Sequence, residues 1–244
     1  MNLMKKEEMK LMKKVSLLCW LFLLGVLSAQ EEQQAGIQVR CLNFENDSEL
    51  PGTLYLHSPG PEGGAPGVPV KLKNYLNHER VTVIPGSADL IVTKQAGADS
   101  VKQAEDVVGR VKLKAGQKML ILLFMPGGEE GKSHVLAMDE SLRAFPKGAI
   151  YMFNLSPLNL RLMLEKEVFD FKPGQQTLIE DPPVNDRYAS SMRAFVYQVN
   201  HWKRIDTSFW PHPGNKRVIK IAYFNKQTQQ IEIKGVRDIS PPRS

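Results

Sequence analysis

The stretch MRAFVYQVNHWKRIDTSFWPHPGNKRVIKIAYFNKQTQQIEIKGV, residues 192–236, decides the fold. It divides into four segments rich in β-branched and aromatic residues, Met192–Val199, Trp202–Phe209, Arg217–Phe224 and Gln230–Val236. Turn formers separate them, with hairpin joins at Asn200–His201 and Asn225–Gln229 and a Pro/Gly break at Pro211–Gly214. Short runs of this composition, bounded by Asn, Gly and Pro, are strands.

The same grammar runs upstream. Ile37–Phe44, Thr53–His57, Val68–Leu72, Val81–Pro85 and Leu90–Thr93 read as strands, as do Val111–Leu113 and Ser133–Met138. Ala149–Leu155, Leu160–Lys166, Val168–Phe171 and Gln176–Glu180 continue the series. Lys118–Met125 (KMLILLFM) is apolar without alternation, the mark of a central strand covered on both faces. The one helical spacing is in Asp99–Val108, where Val101, Ala104, Val107 and Val108 recur behind a capping Asp or Ser. Many short strands with frequent turns predict an all-β protein of two small β-sandwich-like lobes with one short helix. An internal echo suggests duplication: IQVRCLNF and AIYMFNLS each open a half and carry Asn43 and Asn154. Likewise GQKMLILLFM and NKRVIKIAYF each lead through a short strand to an aspartate, Asp139 and Asp238. The expected division is a leader over 1–29, one lobe over 30–145 and another over 146–244, joined near Phe145–Gly148.

Five lysines between Lys5 and Lys14 precede the apolar run Val15–Leu27, which ends at Ser28-Ala29-Gln30. A basic start, a short apolar stretch and a small residue before polar sequence form a secretory signal, and the run is shorter than the roughly 20 residues of a membrane span. The expectation is an exported protein, periplasmic or extracellular, with no stable membrane span once residues 1–29 are cut off. Five lysines and two glutamates leave with the segment, so the net charge falls from +6 to +3. No basic run interleaves with aromatics; Lys216–Arg217 with Lys220 is the longest cluster and reads as a solvated strand face, so nucleic acid is not an expected partner. Cys41 is the one cysteine after cleavage, which rules out an intramolecular disulfide and leaves a buried structural thiol.

Chemistry-bearing motifs are sparse. PGGEEGKS, 126–133, follows an apolar strand as a phosphate loop does, but only three residues separate Gly127 from Gly131 where that motif needs four. Glu129 and Glu130 would repel polyphosphate, so it reads as a glycine-rich turn. His57, His78, His134, His201 and His212 stand apart, without metal-ligand spacing, and read as surface or turn residues. Glu180–Asp181 lacks the ligand ladder of a calcium loop, and no G-x-S-x-G elbow occurs. Neither a cofactor nor a metal is expected.

DESLRAFPKG (139–148), the strand into Asn154-Leu155-Ser156-Pro157, and FKPGQ (171–175) resemble an uncharacterised family of exported bacterial two-lobed β-proteins. Trp202, Ile205, Trp210, Pro211, Pro213, Gly214, Lys216 and Arg217 extend the likeness over most of the mature chain. These are turn and core residues, and the resemblance implies no activity and no site.

Aromatics supply the candidate site. Tyr197, Trp202, Phe209, Trp210 and Tyr223 gather in the last third. In a regular strand Trp202, Arg204, Asp206, Ser208 and Trp210 share one face, and a face that alternates indole with charge should be open to solvent. Trp202, Arg204, Trp210 and His212 are therefore the expected binding residues, for a protein or glycan partner. The functional expectation is a non-enzymatic binding or structural module of the cell envelope or exterior. The alternative is a hydrolase with carboxylates on loops, to be recognised by a cleft lined with two acids.

Overall fold

A computed structural model describes residues 36–44, 50–60, 64–76, 78–125 and 134–242. The expected signal segment and the expected glycine-rich turn over PGGEEGKS lie outside them. The described residues from Ile37 on form one compact unit.

Sixteen strands make up the fold of the described residues. The first eight are β1 (Ile37–Asn43), β2 (Thr53–His57), β3 (Val68–Lys71), β4 (Val81–Val83), β5 (Asp89–Thr93), β6 (Val107–Lys112), β7 (Met119–Met125) and β8 (His134–Asp139). The second eight are β9 (Ile150–Asn154), β10 (Leu160–Leu164), β11 (Glu167–Phe171), β12 (Gln176–Ile179), β13 (Ala189–Gln198), β14 (His201–Pro211), β15 (Arg217–Asn225) and β16 (Gln230–Asp238). They form four four-stranded sheets, β4-β1-β7-β8 and β3-β2-β5-β6, then β12-β9-β15-β16 and β11-β10-β13-β14. Adding eight to each number of the first pair yields the second pair. The pairing senses repeat too: β1 lies parallel to β7 and β9 parallel to β15, while the other pairs are antiparallel. The echo in the sequence is thus an echo of topology. Asn43 and Asn154 end β1 and β9, and Asp139 and Asp238 end β8 and β16. Each aspartate accepts a hydrogen bond from the backbone N–H two residues on, Ser141 and Ser240.

Alternation sorts side chains into three cores. Val39, Cys41, Leu120, Leu122 and Phe124 pack against Leu54, Leu56, Leu90 and Val92, filling the first sandwich. Ile150, Met152, Val218 and Ala222 pack against Leu160, Leu162, Met192 and Ala194 in the second. The opposite faces of β1, β7, β9 and β15 contribute Leu42, Ile121, Leu123, Phe153, Ile219 and Ile221 to a third core between the lobes. The central strands of the two inner sheets are therefore covered on both sides, which is why KMLILLFM shows no polar alternation. Cys41 is fully buried, and burial drives its thiol pKa far above the ordinary value. It is a packing residue.

Three expectations are corrected. Asp99–Val108 is not one helix: a 3-10 turn covers Ala98–Lys102, and Val107 begins β6, opposite Thr93 of β5. A lone short helix carries an unfavourable nucleation cost, and β-branched valines gain more in a sheet. Arg217 is not on a solvated face but fully buried. His57 is also buried; its Nε2 lies 2.8 Å from Thr93 Oγ1, and Gly67 sits so close that a Cβ there would come within 2.5 Å of the ring.

Candidate functional site

The central strands of the inner sheets, β1, β7, β9 and β15, bury residues of both faces, so a polar side chain within them must find its partner inside. Arg40 of β1 does so across the lobe boundary. Its Nη1 and Nη2 donate to Asp238 Oδ1 and Oδ2 at 3.1 and 3.0 Å, and Nη2 lies 2.5 Å from Glu140 Oε1. Arg217 donates from Nε and Nη2 to Asp238 Oδ2 at 2.9 and 2.5 Å, and from Nη1 to the carbonyls of Glu140 and Phe145. Arg80 completes the cluster, 2.6 Å from Glu140 Oε1 and 3.1 Å from the Ser240 carbonyl. Burial works to raise the pKa of Asp238, but the hydrogen bonds and charges of Arg40 and Arg217 outweigh it and hold the carboxyl below its ordinary value. Two carboxylates clamped by guanidiniums and closed to solvent fasten the lobes together. A cavity of about 640 Å³ opens beside Arg80, bordered also by Gln38, His78, Met119 and Ser240, with no carboxylate among the described residues of its wall. Among the described residues no group of three His, Cys, Asp or Glu side chains is placed to hold a metal ion, and no helix is long and apolar enough to cross a membrane.

The second lobe's outer sheet presents a different surface. Its solvent side is built row by row from the strand register. Asp170, Arg161, Phe195 and Arg204 are successive neighbours across β11, β10, β13 and β14, and Val168, Met163, Arg193 and Thr207 form the next row. Tyr197 stands opposite Trp202, and Ser191 opposite Phe209. The Arg161 guanidinium lies 4.3 Å from the centroid of the Trp202 ring, and Tyr197 meets the same indole edge-on at 5.3 Å. Arg161 also forms a two-point pair with Asp170, at 2.7 Å for both bonds. That pair holds Asp170 below the ordinary carboxyl pKa. Arg193 and Arg204 are exposed and make no ion pair among the described residues, and Phe209 is 70% exposed.

Of the four residues expected from the sequence, the structure brings together only Trp202 and Arg204. Trp210 is 5% exposed and belongs to the second sandwich core, so the expectation of one open Trp202/Trp210 face is wrong. The cause is a β-bulge. Phe195 pairs with Arg204 and Ala194 with Asp206, which leaves Ile205 without a partner and shifts the alternation by one residue. Trp202 and Arg204 before the bulge face solvent, while Asp206, Ser208 and Trp210 after it stand opposite the buried residues Ala194, Met192 and Ser190. His212 lies apart, in the turn beyond β14, where its Nδ1 accepts the Gly214 N–H at 3.0 Å and Nε2 lies 3.8 Å from Asp181. Sequence reasoning missed Arg161 and Arg193. The alternation of LRLML and of SMRAFVY contained the signal, because each arginine falls on the polar side of a half-buried strand.

The molecule is an all-β protein of two like lobes, with a guanidinium and aromatic surface on its outermost sheet. No protein-family model matches the chain, and no curated protein matches it significantly.

Proposed function

We propose that this chain is an exported, non-enzymatic binding module of the cell envelope or exterior, which docks a protein with an acidic surface on the outer face of β11-β10-β13-β14. One observation carries the reading: Trp202, Tyr197, Phe195 and Phe209 share that face with Arg193 and Arg204, two exposed guanidiniums without a carboxylate partner. Trp, Tyr and Arg dominate the energetics of protein interfaces, and a sheet holds them without ordering cost at the moment of binding. A neutral glycan would gain little from the two unpaired charges. Export rests on the basic, then apolar, segment before Gln30, and the resemblance to exported two-lobed β-proteins agrees with it.

Photo-crosslinking tests the proposal. A crosslinking amino acid at Phe209 or Thr207 should capture one acidic protein in the exported fraction. Arg193→Glu with Arg204→Glu should abolish that capture, while a probe at exposed Tyr75 of the other lobe should not give it. Capture that survives the double charge reversal would overturn the acidic partner. Mass spectrometry of the same protein should place the mature N-terminus near Gln30, and an intact leader on a cytoplasmic protein would overturn export.

A further inference from the structure

Lys220 belongs to β15, between Val218 and Ala222, in the row that faces the second sandwich core. A lysine in such a row must either reach water or find an anion. This one has its Nζ 4.1 Å from the centroid of the Trp210 ring, with neither a hydrogen bond nor an ion pair on the amine. Its neighbour across the β15–β16 ladder is Gly235, and a Cβ there would lie 2.8 Å from Nζ and 3.1 Å from Cε. The missing side chain makes the space that the lysine head occupies. Beside it is a cavity of about 150 Å³, with Ile150, Val218, Pro211 and Trp210 as apolar wall and Lys220 and Arg237 as its two cations.

We propose that this cavity is a binding site for a small carboxylic acid with an apolar body, its carboxylate held between the Lys220 ammonium and the Arg237 guanidinium and its body against Trp210. Three features converge on this class of ligand. The half-buried amine makes no hydrogen bond or ion pair with a described residue, so an anion in the cavity would have its charge to itself. Two like charges face one small space, so the site favours a negative guest. The remaining wall offers only hydrocarbon and an indole, which suits an apolar body and gives nothing to a free inorganic anion. The site is separate from the outer aromatic face: Trp210 lies beyond the bulge, on the opposite side of the sheet from Trp202.

Proton linkage follows from the same geometry. Burial, with Arg237 of β16 adding to it and Asp206 of β14 opposing it, pulls the Lys220 pKa down to about 8. A carboxylate binds the protonated amine, so affinity should hold below that pH and fall as pH rises through it.

Benzoate is a suitable probe for titration calorimetry on the mature protein. Saturable binding at neutral pH is expected, weakened about tenfold or more, some 1.4 kcal/mol, by Lys220→Met and by Arg237→Gln, and untouched by Trp202→Ala. Benzyl alcohol, the uncharged analogue, and inorganic phosphate, the anion without a body, should each bind at least about tenfold more weakly. Benzoate should also slow reductive methylation of Lys220 by formaldehyde and cyanoborohydride, located by peptide mass spectrometry. Wild-type protein that gives no saturable heat with benzoate overturns the proposal. So do variants that bind it as tightly as wild type, and Arg237→Gln alone decides this should Lys220→Met fail to fold.

Discussion

Replacing Asp238 by Asn retains the shape of the side chain and removes its charge, at the point where both lobes meet. In the native protein its two oxygens receive five hydrogen bonds, two from Arg40, two from Arg217 and one from the Ser240 backbone N–H, and both guanidiniums are closed to solvent. After substitution one carboxylate, Glu140, remains for Arg40, Arg80 and Arg217. Removing one partner of a buried pair typically costs about 3–5 kcal/mol, because the surviving charge has no solvent to return to. Here the surviving charges are two, and the amide can accept with only one oxygen, so the upper part of that range applies. Against a total stability of about 5–15 kcal/mol the loss is large. At about 2–4 °C per kcal/mol for a protein of this size, the midpoint should fall by roughly 10–15 °C. Urea unfolding at neutral pH, followed by tryptophan fluorescence, is the assay. Acid should act like the mutation. The pKa of Asp238 is lowered on folding, so its contribution is complete above the unfolded value near 4 and disappears as pH falls through the native one. A loss below about 1 kcal/mol, the level of a surface ion pair, would refute the account of this network as a buried clamp.

Other substitutions separate the two indoles and the lone amine. Trp210→Ala should cost about 3–5 kcal/mol in denaturant unfolding, as for a buried large aromatic, whereas Trp202→Ala, on the open side of the same strand, should cost about 1. Equal costs would mean that the bulge at Ile205 does not divide them. Lys220→Met should raise stability at pH 7 by on the order of 1–3 kcal/mol, since it removes a half-buried charge whose desolvation no ion pair offsets. The native pKa lies below the unfolded one, so the charge penalty fades as pH rises from about 8 to 10.5, and the advantage of the methionine should shrink over that interval. A variant less stable than wild type at pH 7 would show that the amine has a partner.

Local pattern sufficed for the strands, because a strand is specified by residue type and turn chemistry over a few positions. The joins expected at Asn200–His201 and Asn225–Gln229 are hairpins, with their turns at Val199–Asn200 and Lys226–Gln229. The unbroken apolar run of β7 announced a strand covered twice, and Asn43, Asn154, Asp139 and Asp238 marked equivalent strand ends in a repeated topology. The apolar valines of Asp99–Val108 misled, since spacing alone does not weigh a short helix against an available sheet partner at β5.

Faces and partners were decided by tertiary structure, and the reason is geometric. A strand alternates with period two only until a bulge inserts a residue, and the bulge at Ile205 exists only in the pairing of β13 with β14. One unpaired residue therefore moved Trp210 from the open face, where alternation had put it, into the core. Arg217 and Lys220 followed the same logic: in sequence they are basic residues of a strand. Whether such a charge meets water, a carboxylate from 21 residues away as Arg217 meets Asp238, or an indole beside a cavity as Lys220 does, depends on what folding brings opposite it.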